Sequence, residues 1–207
     1  ELENPNFVAN PPDRCYHCKL ELFHKLKGIA EEEGLRNIVD GSNCEDSSDY
    51  RPGRRAAIEL GVRHPLQEAK LTKDEIRLLS KEMGLPTWNK PSLACLASRF
   101  PYGTPITKES LVVVDEAENF LHSLGIGQLR VRHYNKTARI EVEPQDMDLL
   151  LEGKSRYRIL VRFKELGYLY VTLDLVGYRT GSLNEGLVRG LQESSQHSPG
   201  AYKSGLR

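Results

Sequence analysis

The stretch PTWNKPSLACLASRFPYGTP, residues 86–105, constrains the fold of this chain more than any other. It holds four prolines, Pro86, Pro91, Pro101 and Pro105, and no long hydrophobic period. Proline fixes φ and lacks a backbone donor, so neither a long helix nor a central strand can run through it. It is expected to be an irregular connection between two domains, and connections of this length often carry function.

Before it, Leu22, Leu26 and Ile29 recur at helical spacing after the Pro11-Pro12 stop, and Gly34 closes the period. RNIVDGSN predicts a short strand over residues 37–40 that runs into a turn at Gly41, and PGRRAAIELG predicts a short helix. In LTKDEIRLLSKEMG, Thr72 and Glu75 form a capping box, and Ile76, Leu79 and Met83 are expected to form a buried stripe. Helix, strand, helix and helix at these lengths suggest an α/β layer. After the connection, TKESLVVVDEAENFLHSLG predicts a helix capped by Thr107. QLRVRHY and TARIEVE alternate strictly about Asn135-Lys136, as in a hairpin. Two further helical stretches and the strand YLYVTLDLV complete a small α+β unit with three strands. From about Glu185 the composition turns to Gly, Ser, Arg and Gln, and that tail is expected to be disordered.

The 207 residues are 39% hydrophobic and 28% charged, with a formal net charge of zero. That composition is ordinary for a globular protein and supplies no global field for nucleic acid. No apolar run approaches the roughly 20 residues that a membrane helix needs. ELENPNFVANPP has no apolar signal core, and four irregularly spaced cysteines do not form a secreted disulfide framework, so a cytoplasmic location is expected. A first residue of Glu1 instead of Met suggests a processed or truncated piece.

In that setting the cysteines become informative. Cys15 and Cys18 form a CxxC pair at a helix start, where the dipole and free N–H groups favour thiolate. Cys95 follows 77 positions after Cys18, inside the irregular connection. Three thiolates suit an iron–sulfur cluster with one open iron. Spacing alone leaves open an all-cysteine zinc site that recruits Cys44, a redox pair, and cysteines as small core fillers.

Other groups carry a functional and a plain reading side by side. Asn43, Asp46 and Asp49, after Gly41, lie where a strand end would meet a nucleotide, but the same residue types favour turns. Arg99 is either a bidentate anion clamp or a surface arginine. Alternation sets Arg130 and Arg132 on one face with Arg139 and Glu141, which is either an anion-binding strip or a solvated hairpin face. Asp174, Arg179 and Gly181 follow a strand end, where they either line a pocket or form a loop with no function. No Walker, dinucleotide-binding, zinc-protease or hydrolase motif is present.

Taken together, NPPDRCYHCK, DGSNCEDSSDYRPGRRA, LPTWNKPSLACLASRFPYGT, RVRHYNKTARIE and YVTLDLVGYRTGSLNE resemble the LarE family of ATP-dependent sulfur transferases, part of the PP-loop ATP-pyrophosphatase superfamily. The resemblance covers residues 4–185 in five ordered blocks. It implies adenylation of a carboxylate on a pyridinium biscarboxylate mononucleotide, with release of pyrophosphate. Sulfur delivery to a thiocarboxylate follows, on the way to the nickel-pincer nucleotide cofactor. Some family members sacrifice a cysteine sulfur; others hold a [4Fe-4S] cluster on three cysteines and pass sulfide from its open iron. Cys15, Cys18 and Cys95 match the second class, and Ala94 stands where the first class has its sacrificial cysteine.

The resemblance further implies catalytic roles for Cys95, Ser98, Arg99 and Glu118. It implies phosphate binding by Arg130, Arg132, Glu141 and Arg179, and ATP with magnesium near Gly41, Asn43 and Asp49. The partner implied is the small mononucleotide, with no membrane or nucleic acid, and a homo-oligomer is expected. The family's S-G-G-x-D-S loop is not in this chain, and the expectation is that it precedes Glu1.

The expected fold is therefore an incomplete parallel-sheet α/β domain of the adenine-nucleotide α-hydrolase type over residues 1–90. An active-site connection over 91–105, a small α+β domain over 106–185 and a tail over 186–207 follow. Alternatives are a tRNA thiolase or another PP-loop amidotransferase or synthetase, and a non-catalytic zinc or iron–sulfur module that binds a partner. Zero net charge weakens the tRNA alternative, because phosphate contacts dominate such affinity.

Overall fold

Pro11 and Pro12 separate a short helix, α1 (Pro5–Val8), from the long helix α2 (Arg14–Glu32). The computed structural model describes residues 1–47, 51–90 and 94–185. The chain divides into two units, Glu1–Leu111 and Val112–Arg207, so the connection at 91–105 lies within the first. The expected tail from residue 186 lies outside the described residues.

In the first unit α2 packs on α3 (Pro52–Glu59) through a small core of Phe23, Ala57 and Val62, flanked by Leu26, Ile38 and Leu60. Gly53 makes the approach possible. A Cβ there would lie 2.9 Å from Lys19 Cγ and 3.1 Å from the Cys15 carbonyl oxygen. The start of α3 is thereby seated beside Cys15. The Tyr16 hydroxyl donates to Glu59 at 2.7 Å, and the Arg55 guanidinium lies 3.8 Å from the centre of the Tyr16 ring.

The strand expected at 37–40 reduces to a single parallel bridge, Val39 to Arg63. A strand exists only through its neighbours, and that bridge is its pairing among the described residues. The short helix α4 (Pro65–Glu68) was not legible in the sequence, and α5 (Lys73–Glu82) carries the expected capping box of Thr72 and Glu75. The buried stripe of α5 is a correction, since Leu79 is 42% and Met83 75% exposed. Periodicity specifies which face is apolar; it does not supply the surface that covers it.

The second unit is built on α6 (Lys108–Ser123), whose start is capped by the Thr107 hydroxyl accepting from Ser110 N at 3.1 Å. β1 (Leu129–Tyr134) and β2 (Thr137–Val142) form the expected antiparallel hairpin, with Arg130 opposite Glu141 and Arg132 opposite Arg139. Asn135 takes the turn at φ +51°, which Asn tolerates better than most residues. Two helices, α7 (Met147–Leu151) and α8 (Gly153–Glu165), return the chain to β3 (Tyr170–Leu173), which pairs parallel to β2. A parallel pair requires such a crossover.

Leu129, Val131, Ala138, Ile140 and Val142 form one face of this sheet and pack with Ala117, Leu121, Ile159, Phe163 and Tyr168. Gly177, at φ +80°, lets the following loop lie on β2; a Cβ there would sit 2.7 Å from the Val142 carbonyl oxygen. Among the described residues no helix is long and apolar enough to cross a membrane.

His133 tests the packing of this unit. Its Nδ1 is 2.9 Å from the buried Tyr168 hydroxyl, and burial holds the imidazole below its ordinary range. The folded state therefore favours neutral His133. Its contribution is intact above the ordinary histidine value of about 6.5 and is lost as pH falls through the lower folded value. Urea unfolding at about pH 5 and about pH 7.5 is expected to show a smaller stability loss on acidification in His133→Gln than in the parent. Equal pH dependence in the two proteins would contradict the assignment.

Candidate thiol centre and arginine network

The candidate centre begins with how residues 97–106 are fastened to the entry of α2. Asn10 is fully buried at φ +53°. Its amide donates to the carbonyls of Pro101 at 2.8 Å and Thr104 at 3.0 Å. Its own carbonyl accepts from Gly103 N at 2.8 Å, and Ile106 N donates to Val8 O at 2.9 Å. Arg14, the first residue of α2, is 3% exposed. Its Nη1 donates to Asn10 Oδ1 and, at 3.0 Å, to the Ala97 carbonyl. The guanidinium also lies 5.9 Å from the centre of the Tyr102 ring. Phe7, Ala97, Phe100 and Ile106 bury the joint. Apart from the bond between Arg14 and Asn10, these contacts tie chain just after Cys95 to chain just before Cys15.

Around Cys95 the backbone makes a 3₁₀ turn, Leu96–Arg99. Arg99 is buried and folds back on that turn, donating from Nη1 to the Ala94 carbonyl at 2.9 Å, the Cys95 carbonyl at 3.2 Å and the Ser98 hydroxyl at 3.1 Å. The plain alternative of a surface arginine is thus excluded by its burial. Its nearest partners are backbone groups that shape the Cys95 turn.

All four cysteines are free thiols; Cys15 and Cys95 are exposed and Cys18 is half-buried. The Cys18 thiol donates to the Glu1 carboxylate at 2.9 Å. Burial first, then that carboxylate, then the charges of Cys95 and Cys15 push the Cys18 thiol up to about 12. The helix start was expected to favour thiolate, but for Cys18 desolvation and anionic neighbours outweigh the dipole.

Three free thiols within one unit are a soft donor set suited to an iron–sulfur group. Among the described residues no three His, Cys, Asp or Glu side chains gather tightly enough to chelate a single ion. Cys44 is half-buried, with its N–H donating to the Leu71 carbonyl at 3.1 Å.

Cys15 also lines a cleft of about 330 Å³ with Lys19, Asp40, Ser42, Arg51 and Arg54. Behind it, Asn43 Oδ1 accepts from the N–H groups of Glu45 and Asp46, and Asp46 pairs with Arg51 at 2.8 Å. The plain reading of turn chemistry thus holds for the Asn43 side chain. Gly41 lies in the same turn, while Asp49 lies outside the described residues. Burial would raise the Asp40 carboxyl, but bonds from His64 and Ser42 outweigh it and hold the group below its usual range.

The strip on β1 and β2 is not a solvated face: Arg130 is 6%, Arg132 5% and Glu141 0% exposed. Arg132 grips Glu141 with two parallel bonds of 3.0 and 2.9 Å, and Arg139 donates to the same carboxylate at 2.8 Å. Ser182, from the loop after β3, accepts from Arg132 at 2.6 Å. Arg130 donates to the Leu129 carbonyl at 2.6 Å and lies 5.1 Å from the Tyr178 ring centre. Asp174 sits 3.6 Å from Arg139 and 3.8 Å from Arg179, and Arg179 also reaches Glu185 at 2.9 Å. Glu118, on α6, accepts from Val131 N at 2.8 Å and so closes an N–H of the outer strand.

The predicted residues thus fall into two groups. Cys15, Cys18, Cys95, Ser98 and Arg99 converge in the first unit. Arg130, Arg132, Glu141 and Arg179 converge in the second, with Glu118 on the neighbouring helix. Sequence reasoning missed Asn10 and Arg14. The available signal was an Asn directly before a proline pair and an Arg directly before the CxxC.

No protein-family model matches the chain. An uncharacterized protein of Synechocystis sp. is 46% identical over 189 residues, which covers 91% of this chain and 70% of the relative. The pyridinium-3,5-bisthiocarboxylic acid mononucleotide synthase of Lactiplantibacillus plantarum is 40% identical over 189 residues, 91% of this chain and 67% of that enzyme. An uncharacterized protein of Methanocaldococcus jannaschii is 34% identical over 173 residues, 84% of this chain and 67% of the relative. These matches place the chain in one family with a synthase. It belongs to the LarE family, that of the pyridinium-3,5-bisthiocarboxylic acid mononucleotide synthase.

The charge balance at Cys18 predicts how the metal-free thiols react. At about pH 8, alkylation with iodoacetamide followed by peptide mass spectrometry is expected to label Cys18 more slowly than Cys15 or Cys95. Glu1→Gln is expected to speed labelling of Cys18 selectively. Equal rates at the three thiols, untouched by that substitution, would contradict the burial and charge assigned to Cys18.

Proposed function

We propose that this chain carries the sulfur-inserting site of an ATP-dependent synthase. The enzyme would convert a carboxylate of a pyridinium biscarboxylate mononucleotide into a thiocarboxylate, a step toward the nickel-pincer nucleotide cofactor. The observation that carries the proposal is the buried joint between the Cys95 turn and the start of α2: Arg14, directly before Cys15, donates to the Ala97 carbonyl, two residues past Cys95, at 3.0 Å. Kinship with the synthase of Lactiplantibacillus plantarum supplies the substrate class.

Cys15, Cys18 and Cys95 would hold a [4Fe-4S] cluster. When bound, the cluster would supply a soft sulfur nucleophile that stays deprotonated near neutral pH. Ser98 and Arg99 keep the Cys95 backbone in one shape, through the bonds from Arg99 to the Ala94 and Cys95 carbonyls. Lys19, Arg51 and Arg54, beside Cys15, line the cleft that would take anionic groups of ATP with magnesium near Gly41, Asn43 and Asp49.

In the second unit the guanidiniums of Arg130, Arg132, Arg139 and Arg179 gather about the carboxylates of Glu141, Asp174 and Glu185. Such a concentration of arginine suits a phosphate-bearing ligand, which arginine binds in a planar, bidentate manner. Glu118 would act close to the reacting groups. In the first half-reaction a substrate carboxylate oxygen attacks the α-phosphate of ATP and pyrophosphate leaves. In the second, sulfide attacks the activated carbonyl and AMP leaves, giving the thiocarboxylate. The working enzyme is proposed to be a homo-oligomer that needs no nucleic acid.

The full-length protein decides the matter when purified without oxygen and supplied with ATP, magnesium, sulfide and the biscarboxylate mononucleotide. Mass spectrometry of the product and pyrophosphate release are the readouts. Cys95→Ala is expected to lose both the visible iron–sulfur absorption and thiocarboxylate formation. Full sulfur transfer by Cys95→Ala with added sulfide would falsify the role given to the thiol centre.

A further inference from the structure

We infer that Arg14, with Asn10, is a positioning residue that sets where Cys95 stands relative to the Cys15–Cys18 pair. The inference deepens the proposed thiol centre and rests on it for its consequence in cluster binding. Its geometric part stands on contacts within the first unit alone.

Chain separation poses the problem that this device solves. Cys15 and Cys18 ride on α2, a rigid element of 19 residues, while Cys95 sits on an irregular turn. An irregular segment has no ladder to fix it: its turns bond locally at the Cys95, Ala97 and Pro101 carbonyls, so side chains must anchor those turns to the rest of the unit. Arg14 does so at Ala97, two residues past Cys95, with a bond of 3.0 Å. Asn10 does so at Pro101 and Thr104 with bonds of 2.8 and 3.0 Å. The two side chains bond to each other, and Arg14 immediately precedes Cys15.

Burying a guanidinium is expensive, and fastening helix to helix can be done with apolar groups at less cost. What the guanidinium adds is direction. Its planar group fixes where the two hydrogens of Nη1 point, and here that one nitrogen joins Asn10 and the Ala97 carbonyl. Lysine has the charge without the fixed plane. Alanine or methionine at position 14 would leave the Asn10 oxygen short of a donor and release the Ala97 carbonyl from α2. Outer groups that orient metal ligands in this way typically govern affinity by 10- to 100-fold.

The test uses the full-length protein in a Cys44→Ala background, with Arg14→Lys and Asn10→Asp compared with the parent. Asn10→Asp keeps a residue type that tolerates positive φ and keeps a partner for Arg14, but it turns a carboxylate toward the Pro101 and Thr104 carbonyls. Two readouts are taken on the folded fraction, defined by thermal melting. One is the rate at which a short bis-maleimide joins Cys95 to Cys15 or Cys18 in the metal-free protein. The other is iron affinity on anaerobic reconstitution.

Positioning predicts a several-fold slower cross-link in whichever variant folds, together with iron affinity weaker by about 10- to 100-fold. A merely structural role predicts a lower melting temperature with an unchanged cross-linking rate, and that result overturns the inference. If the parent protein takes up no iron, the cluster reading fails, while the cross-linking rates still decide whether Arg14 and Asn10 place Cys95.

Discussion

The first unit depends on one buried contact, the guanidinium of Arg14 held between Asn10 and the Ala97 carbonyl. It joins the start of α2 to a segment more than eighty residues away in sequence. Apolar burial by Phe7, Phe100 and Ile106 surrounds the contact and shields it from water. A hydrogen bond to a charged group contributes most when it is shielded, and it costs most when one partner is lost. The joint is therefore either made completely or strongly penalised, which suits a turn that must present one thiol in one place.

The second unit shows the same strategy with more charge. Its sheet buries an apolar face in the ordinary way, and its other face is buried too, on Glu141 and the arginines that surround it. Replacing such a network with apolar residues is often neutral or stabilising, so stability alone is a weak reason to keep it. A buried cluster of guanidiniums is compatible with the anion binding proposed for this unit. Both units thus hold ionisable groups in the interior, and each does so where the family resemblance expects substrate or sulfur chemistry.

Much of the fold was legible in the sequence, because local signals decided it. The capping box at Thr72, the hairpin about Asn135 and the break at Pro11-Pro12 each rest on interactions within a few residues. What the sequence concealed was long-range. Alternation put Arg130, Arg132, Arg139 and Glu141 on one face but said nothing about the loop that covers it. Helical spacing marked Leu79 and Met83 as a stripe without showing what lies over it. Asn10 and Arg14 read as polar residues at a helix entry, since residues of those types are mostly exposed. Only the return of residues 97–106 to α2 makes them interior.

The central claim is that the paired thiols of α2 and the distant Cys95 serve one inorganic centre. Its most direct test is iron and acid-labile sulfide analysis of the full-length protein isolated without oxygen, combined with Mössbauer spectroscopy. The account predicts equal iron and sulfide, about four of each per chain, with one iron distinguishable from the rest because no cysteine holds it. Stoichiometric zinc, or iron without labile sulfide, would contradict it.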